Sequence, residues 1–358
     1  MKIAIDGRVL NEQAGKAVYT RSVVAAMATV APADQFEIYG YVPAEVESWP
    51  ANIRFHPLTG GLGRLSAFRH LEADVLFSPS SYLTTLISNK PTLTTIHDLI
   101  AYKATVKLPL KTRLAERLLL GPAVRRSKAL TVQNQATLDD LVSLFPAAAA
   151  KARIVRPGIA ALIDQKTLPA ANDQADYLQR LAVQRYLLFV GTLEPRKNLV
   201  RLIEAYEQLS VDLKSQYQLV LAGSPGWLDA ALSRRLNNLP TGVILAGRVS
   251  DAELATLYAN TSLVVYPSLY EGVGYPILEG FSYGKPVVTS NIGAMAEVGA
   301  DAAVLVDPTS TVALTEAIVG VLSDPTLSAT LSERGLAAAR RYSWSETANQ
   351  YLEILRAF

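Results

Sequence analysis

Two glutamates, Glu271 and Glu279, stand on either side of a turn that contains two glycines. The apolar run at residues 263–266 predicts a buried parallel strand before this turn, and Pro276 suits the first position of a following helix. Glu271 is then expected at the carboxyl end of a strand and Glu279 in the first turn of the helix, at the edge where open α/β sheets bind ligands. Paired carboxylates there can bind hydroxyl groups, although a single acid is equally explained by a solvated loop or by the helix dipole.

A second group of charged residues, Arg196 and Lys197, follows a predicted strand at residues 186–190 and precedes an amphipathic helix that starts near Leu199. Cations are unfavourable at a helix amino terminus, because that end already carries partial positive charge. The arrangement is explained if an anion such as a phosphate binds there. The alternative is that both side chains point into water.

Strands and helices alternate along the chain in two successive blocks, which predicts parallel sheets covered by helices. The strand candidates of the first block are residues 2–5, 36–42, 53–57, 75–78, 93–96, 129–132 and 153–155. The candidates of the second block are residues 186–190, 218–222, 243–246, 263–266, 286–289 and 303–306. A polar stretch from Pro169 to Asp176 is the predicted linker between them.

The bulk properties favour a two-domain cytoplasmic protein. The chain has 358 residues, 50% hydrophobic content and no cysteine, so two packed cores are expected and no disulfide is possible. No apolar run reaches the length of a membrane span, and the amino terminus enters a strand without a signal-peptide pattern. The net charge of +2 gives no reason to expect nucleic acid.

Three other chemistries find little support. Residues 280–284 spell G-x-S-x-G, but this pentapeptide is expected at a helix end before a strand, and no histidine follows His97 as a serine hydrolase would need. Residues 60–63 resemble only a fragment of a dinucleotide-binding loop, which disfavours a dehydrogenase. No metal-binding histidine motif and no Asp-x-Asp pair occurs, so chemistry without a metal is predicted.

Several motifs together resemble the retaining glycosyltransferases of family four, which have the two-domain GT-B fold. The glutamate pair of that family, with seven residues between its members, is matched by Glu271 and Glu279. Its G-x-x-x-x-R-K-N segment is matched from Gly191 to Asn198. Further landmarks are matched by His97-Asp98, the opening Ile5 to Leu10, Gly15, Tyr19, Thr20, Pro157-Gly158 and Ala302 to Pro308.

The resemblance implies an α/β protein with two Rossmann-like domains that face each other across a cleft. Residues 1–165 would form the acceptor-binding domain and residues 166–342 the nucleotide-sugar-binding domain. Residues 343–358 would form a helix that crosses back to the first domain.

The resemblance also implies roles for individual residues. The catalytic candidates are His97, Arg196, Lys197 and Glu271. The donor-binding candidates are Gly15, Gly191, Thr192, Arg196, Lys197, Glu271, Gly272, Val273, Gly274 and Glu279. Lys16 and Asp98 are expected on the acceptor side, with Lys16 supplying a charge in a loop that lacks the usual arginine of the family. Neither a metal nor a cofactor is expected.

The implied reaction moves a hexose from a nucleoside-diphosphate sugar to a hydroxyl of a glycan or lipid-linked acceptor, in polysaccharide or glycolipid synthesis. The IDGRVL opening and the HDL segment resemble the mannosyltransferase branch, so GDP-mannose is the first donor candidate, followed by UDP-glucose and UDP-N-acetylglucosamine. The alternatives are a non-catalytic two-domain protein that binds sugars or nucleotides, and a sugar-nucleotide epimerase of the same fold.

A basic segment between Tyr102 and Lys128 carries eight Lys and Arg residues against one acid, Glu116. Three leucines in it fall at helical spacing: Leu110, Leu114 and Leu118. A basic amphipathic helix can lie on anionic lipid, so peripheral attachment to the inner face of a membrane is predicted. The alternative is a core helix with a solvated basic face.

Overall fold

The computed structural model describes residues 1–12, 15–42, 48–58, 63–103, 110–159 and 168–358. The chain divides into two compact units. Unit 1 comprises the described residues of Met1–Ala104, Leu108–Gly158 and Tyr342–Phe358, and unit 2 comprises those of Ile159–Arg341. The predicted domain boundary at residues 165 and 166 lies outside the described residues.

Unit 1 contains a seven-stranded parallel sheet in the order β3-β2-β1-β4-β5-β6-β7. Its strands are β1 (Lys2–Gly7), β2 (Gln35–Gly40), β3 (Ile53–Pro57), β4 (Val75–Ser78), β5 (Thr92–Thr95), β6 (Ala129–Val132) and β7 (Ala152–Ile154). The central strands are buried on both faces, as expected for a parallel sheet that helices cover. The strand order reverses between β1 and β4.

The helices of unit 1 are α1 (Gly15–Val30), α2 (Gly63–Ser66), α3 (Tyr82–Ile87), α4 (Leu110–Arg126), α5 (Gln135–Leu144) and the last helix of the chain, α15 (Trp344–Arg356). The prediction that the last helix returns to the first domain is confirmed, because α15 packs in the core of unit 1. Its buried residues Ala348, Tyr351, Leu352 and Leu355 share one apolar cluster with β1 and α1. The Tyr351 hydroxyl also lies 2.5 Å from that of Tyr19.

Unit 2 contains a six-stranded parallel sheet in the order β10-β9-β8-β11-β12-β13. Its strands are β8 (Tyr186–Val190), β9 (Gln218–Ala222), β10 (Val243–Gly247), β11 (Leu263–Tyr266), β12 (Val287–Ser290) and β13 (Val304–Val306). Its helices are α6 (Ala171–Arg180), α7 (Leu199–Glu207), α8 (Val211–Gln216), α9 (Ala230–Asn237), α10 (Asp251–Asn260), α11 (Tyr275–Ser282), α12 (Gly293–Gly299), α13 (Thr311–Ser323) and α14 (Pro325–Ala339). The order reverses between β8 and β11.

Every strand predicted from the sequence is present, with ends shifted by at most two residues. The linker prediction for Pro169 to Asp176 is wrong, because residues from Ala171 onward form the first turns of α6. The polar run belongs to an exposed helical face, and Tyr177 anchors the other face in unit 2. Composition alone did not distinguish a solvated helix from a linker.

Within the part of the chain that the structure describes, no single helix combines the length and the apolar content needed to cross a membrane.

Candidate active site

Three of the charged residues singled out in the sequence, Arg196, Lys197 and Glu271, follow the two strands between which the strand order of the unit 2 sheet reverses. β8 leads into the loop from Gly191 to Asn198, and β11 leads into the loop that holds Glu271. In open α/β sheets, ligands bind at the carboxyl ends of the strands beside such a reversal. Topology therefore places Arg196, Lys197 and Glu271 together at the expected binding edge of unit 2.

Arg196, Lys197 and Glu271 form one buried ionic cluster. Nη1 of Arg196 donates to Oε2 of Glu271 at 2.6 Å, and Nζ of Lys197 donates to Oε1 at 2.6 Å. Only 6% of Lys197 and 9% of Glu271 are exposed, so these ion pairs are shielded from water. The anion that both cations contact in this structure is a carboxylate of the protein itself.

Two members of the cluster were missed by the sequence analysis. Glu194 accepts a contact of 2.5 Å from Nε of Arg196. The hydroxyl of Tyr266 accepts a hydrogen bond from Nζ of Lys197 at 2.6 Å and donates one to Glu271 at 2.8 Å. Tyr266 is the last residue of β11. Its place at the end of the strand that leads into the Glu271 loop was the signal in the sequence that could have identified it.

The cluster holds Glu271 and Arg196 in their charged forms. Burial opposes ionisation of Glu271, but the charges of Lys197 and Arg196 outweigh it and lower the pKa of Glu271 to about 2. For Arg196, burial likewise opposes the charged form, and Glu271 and Glu194 more than offset it and raise its pKa. Glu271 is therefore a carboxylate throughout the physiological pH range.

The loop from Gly191 to Asn198 is shaped by unusual backbone conformations. Gly191 has φ of +146°, and a Cβ built there would lie 3.9 Å from Nζ of Lys197. Asn198 has φ of 63° and donates to the carbonyls of Pro267 and Pro308 at 3.0 and 2.7 Å. Asn198 thus ties the end of this loop to the segment after β11. As predicted, Arg196 and Lys197 lie in a short turn directly before α7.

The loop from Gly191 to Asn198 also pairs with the segment that follows β9. Leu193 donates to the carbonyl of Ser224 at 2.9 Å, and Gly226 donates back to Leu193 at 3.0 Å. A Cβ at Gly226 would come within 2.6 Å of the side chain of Thr192, so this close approach requires glycine. Thr192 itself is exposed at the rim.

A cavity of about 280 Å³ lies beside this loop. Its wall includes Arg196, Asn198, Trp227, Asp229 and Leu269. Nε1 of Trp227 is buried and has no hydrogen-bond partner among the described residues.

The glycine turn after Glu271 leads into α11. Gly274 caps this helix with φ of 89°, Val273 is buried, and Gly272 lies between them and Glu271. The left-handed conformation of Gly274 lets the helix begin at Tyr275, one residue before Pro276. Glu279 is therefore the fifth residue of α11, and its predicted place in the first turn is wrong.

Glu279 is held by a tyrosine from the preceding helix. The Tyr258 hydroxyl on α10 donates to Oε2 of Glu279 at 2.6 Å, and the ring of Tyr258 stacks on Tyr283 with centroids 5.5 Å apart. Burial raises the pKa of Glu279 above its ordinary value, while the Tyr258 bond opposes that rise. The helix dipole does not explain this carboxylate, because Glu279 lies past the first turn.

The predicted residues of unit 1 form a separate group. Nε2 of His97 lies 2.6 Å from the carbonyl of Pro79, and a carbonyl can only accept, so Nε2 carries the ring proton. Burial and the positive charge of Lys16 lower the pKa of His97 to about 4. His97 is thus a neutral imidazole at neutral pH, and its contact with a donor sugar stays a prediction.

Asp98, Lys16 and Gly15 lie near the same edge of unit 1. Asp98 accepts a hydrogen bond from the backbone of Ile100 at 3.1 Å, which positions the turn after β5. Gly15 and Lys16 are the first two residues of α1, and a Cβ at Gly15 would meet nothing within 4 Å. Burial raises the pKa of Glu116 on α4, and the nearby charges of Lys16 and Asp98 act on it in opposite directions.

The amino-terminal half of α4 presents an apolar row to solvent. Leu110, Leu114 and Leu118 are 79%, 54% and 63% exposed, and Lys111 and Arg117 beside them are also exposed. The alternative of an ordinary core helix is therefore wrong for this half. The buried residues of α4 are Leu120, Gly121, Ala123 and Val124, in its carboxyl-terminal half.

Among the residues that the structure describes, no group of three or more histidine, aspartate or glutamate side chains is arranged to hold a metal ion.

The two parallel sheets and their helices are those of the GT-B class of proteins, and comparison with solved structures confirms this fold. Sucrose-phosphate synthase from Thermosynechococcus elongatus superposes with a TM-score of 0.79 at 22% identity, covering 100% of this chain and 98% of that one. Anabaena HepE in complex with UDP-glucose superposes with a TM-score of 0.77 at 19% identity, covering both chains completely.

Residues 178–337, which make up most of unit 2, match the family model described as glycosyl transferases group 1. Over these residues the sequence matches that family, which confirms the resemblance found in the sequence for this segment. A curated relative, O-antigen chain mannosyltransferase B of Escherichia coli, is 38% identical over 179 residues. That match covers 49% of this chain, and it spans only about half (47%) of the relative's length.

Proposed function

We propose that this chain is a retaining glycosyltransferase that moves a hexose from a nucleoside-diphosphate sugar to an acceptor hydroxyl. The observation that carries the proposal is the cluster of Arg196, Lys197 and Glu271 at the sheet reversal of unit 2. Buried Lys197 and partly buried Arg196, beside a glycine, are suited to bind a diphosphate, and the two carboxylates are suited to accept hydrogen bonds from sugar hydroxyls.

In the proposed reaction, the bond between the anomeric carbon and the diphosphate oxygen breaks, and its electron pair stays with the diphosphate. The acceptor oxygen bonds to the same carbon on the same face, and its proton passes to the departing diphosphate. Positive charge develops on the sugar and negative charge on the leaving group. Arg196 and Lys197 stabilise the leaving group, with help from the backbone N–H groups of residues 272–274, and this replaces a metal ion.

The two glutamates have different environments, which supports different roles. Glu271 is fully ionised and contacts both cations, so it is suited to bind the donor sugar near the reacting carbon. Glu279 is oriented by Tyr258 and is suited to accept hydrogen bonds from the ribose hydroxyls.

We propose GDP-mannose as the donor and a glycan or lipid-linked glycan as the acceptor, in cell-surface polysaccharide synthesis. The support is the similarity to a protein named an O-antigen chain mannosyltransferase. UDP-glucose, present in the structure of HepE, is the competing donor.

We further propose that the protein works in the cytoplasm, on the inner face of a membrane. The exposed leucine row of α4, flanked by Lys111 and Arg117, is suited to insert at an anionic lipid surface.

The proposal is tested with a thermal-shift panel of sugar nucleotides followed by transfer assays. A ligand that binds the folded state raises its melting temperature in proportion to affinity and concentration. We expect the largest shift with GDP-mannose or GDP, product formation with an oligomannose acceptor in the presence of EDTA, and an α-linkage by NMR. Binding without turnover would favour a binding protein, conversion of the donor without an acceptor would favour an epimerase, and no shift with any sugar nucleotide would refute the proposal.

A further inference from the structure

The hydroxyl of Tyr266 occupies the centre of the buried cluster. It lies 2.6 Å from Nζ of Lys197 and 2.8 Å from Oε1 of Glu271, and these two atoms are themselves 2.6 Å apart. The three groups form a closed ring in which Lys197 donates to Tyr266 and Tyr266 donates to Glu271. A phenol can do both at once, because it has one donor and accepting lone pairs.

Packing fixes the position of this hydroxyl. Tyr266 is 1% exposed, and its ring stacks on Phe189 of β8 with centroids 5.8 Å apart. Its carbonyl accepts a hydrogen bond of 2.7 Å from the hydroxyl of Thr289 on β12. Phe189 on one side thus packs against the ring, and Thr289 on the other side fixes the backbone, so the hydroxyl is held near Lys197.

The cluster is electrically balanced without a ligand. The cations Arg196 and Lys197 face the carboxylates Glu194 and Glu271. A diphosphate adds negative charge, so it must compete with Glu271 for the ammonium of Lys197. The Tyr266 hydroxyl carries no charge, and its hydrogen bond to Lys197 is compatible with either anion.

We propose that Tyr266 is a positioning residue, whose hydroxyl keeps the Lys197 ammonium and the Glu271 carboxylate aligned while Lys197 changes partner from Glu271 to the donor diphosphate. This inference rests on the proposed function. Gly191 is consistent with this inference. Because it has no side chain, space remains next to Nζ of Lys197, and a phosphate oxygen can bind there.

The test is the Tyr266→Phe variant, which keeps the ring and removes the hydroxyl. We expect kcat for transfer to fall about 10–100-fold and nucleoside-diphosphate affinity, measured by calorimetry with GDP and UDP, to fall several-fold. The lost hydrogen bond stabilised ionised Glu271, so its pKa rises in the variant. The acid limb of the profile of unfolding free energy against pH, along which Glu271 loses its ion pairs, then moves to higher pH by about one unit. The charged groups that face Glu271 in this experiment are Lys197, Arg196 and, through Arg196, Glu194.

Tyr186→Phe is the matched control. Tyr186 is a buried tyrosine of the adjacent strand β8, and its hydroxyl donates to the carbonyl of Leu257 at 2.9 Å. We expect its removal to lower the melting temperature and to leave the acid limb in place. An equal shift of the acid limb in both variants would show that Tyr266 acts only through stability.

A double-mutant cycle separates positioning from packing. If Tyr266 acts through Lys197, Tyr266→Phe has little further effect on kcat in a Lys197→Met background, whereas independent effects would multiply and overturn the proposal. Unchanged kcat and acid limb in Tyr266→Phe would overturn it too. If the unaltered chain binds neither GDP nor UDP, the proposed function itself fails, which calorimetry on that chain alone reveals.

Discussion

Lys197 donates a hydrogen bond of 2.6 Å to Glu271, which lies 74 positions later in the chain, and the two form a buried ion pair. Arg196 binds the other oxygen of the same carboxylate. The loops after β8 and β11 are thus joined by charge as well as by backbone hydrogen bonds such as that from Leu269 to the carbonyl of Arg196, at 2.8 Å.

Loss of the Glu271 charge is expected to destabilise unit 2. Glu271→Gln leaves Lys197 and Arg196 buried with only Glu194 as a carboxylate partner, and breaking a buried pair in this way costs about 3–5 kcal/mol in the free energy of unfolding. Urea denaturation measures this change in the free energy of unfolding. Asp140→Asn is the control, since it breaks the Lys103–Asp140 pair, which is partly exposed on both sides, and a cost of at most about 1 kcal/mol is expected.

The loss of stability caused by Glu271→Gln is expected to depend on pH. Because the pKa of Glu271 is lowered from 4.5 to about 2, its stabilising contribution is complete above pH 4.5 and is lost as the pH falls towards 2. The difference in unfolding free energy between the unaltered chain and Glu271→Gln should shrink over that interval. A difference that stays constant down to pH 2.5 would contradict the assigned ion pairs.

Tyr258→Phe should weaken donor binding more than turnover. The hydroxyl of Tyr258 orients Glu279 and opposes the rise in its pKa, so its loss raises that pKa further and leaves the carboxyl group without the hydrogen bond that orients it towards the ribose. We expect KM for the sugar nucleotide to rise about tenfold with kcat nearly unchanged. Steady-state kinetics measure both constants. Tyr206→Phe, whose hydroxyl donates to the carbonyl of Tyr217, serves as the control and should leave KM unchanged.

The ring of His97 should stay neutral down to about pH 5. Its pKa is lowered to about 4 by burial and by Lys16, so removal of the Lys16 charge in Lys16→Gln should raise that pKa towards 6.5. NMR titration of the ring nitrogens tests this, and the chain has only three histidines to assign. Lys90→Gln is the control, because Lys90 is not among the charges that act on His97, and it should leave the pKa of His97 unchanged. A His97 pKa near 6.5 in the unaltered chain would contradict the described environment.

The leucine row of α4 should mediate binding to anionic vesicles. We expect co-sedimentation with phosphatidylglycerol vesicles but not with phosphatidylcholine vesicles, and weaker binding at high salt. The double substitution Leu114→Asp and Leu118→Asp should reduce binding about tenfold or more. Val211→Asp and Val312→Asp alter exposed valines elsewhere and should have no effect. Equal binding of both double variants would refute the role of α4.

The sequence predicted the strands and the grouping of the charged residues better than it predicted the hydrogen-bond partners of those residues. Apolar runs such as residues 186–190 identify buried strands directly, because a parallel sheet covered by helices is buried on both faces. The pairing of Lys197 with Tyr266 depends on which strands are neighbours, which local patterns do not encode. The position of Glu279 depended on a single residue, Gly274, whose conformation starts α11 earlier than Pro276 suggests.

The most direct test of the account measures hexose transfer by the unaltered chain and by Arg196→Ala and Lys197→Ala, with the donor that gives the largest thermal shift. If these two cations stabilise the departing diphosphate, kcat falls about 10²–10³-fold in each variant. Turnover within a few-fold of the unaltered chain in both variants would contradict the account.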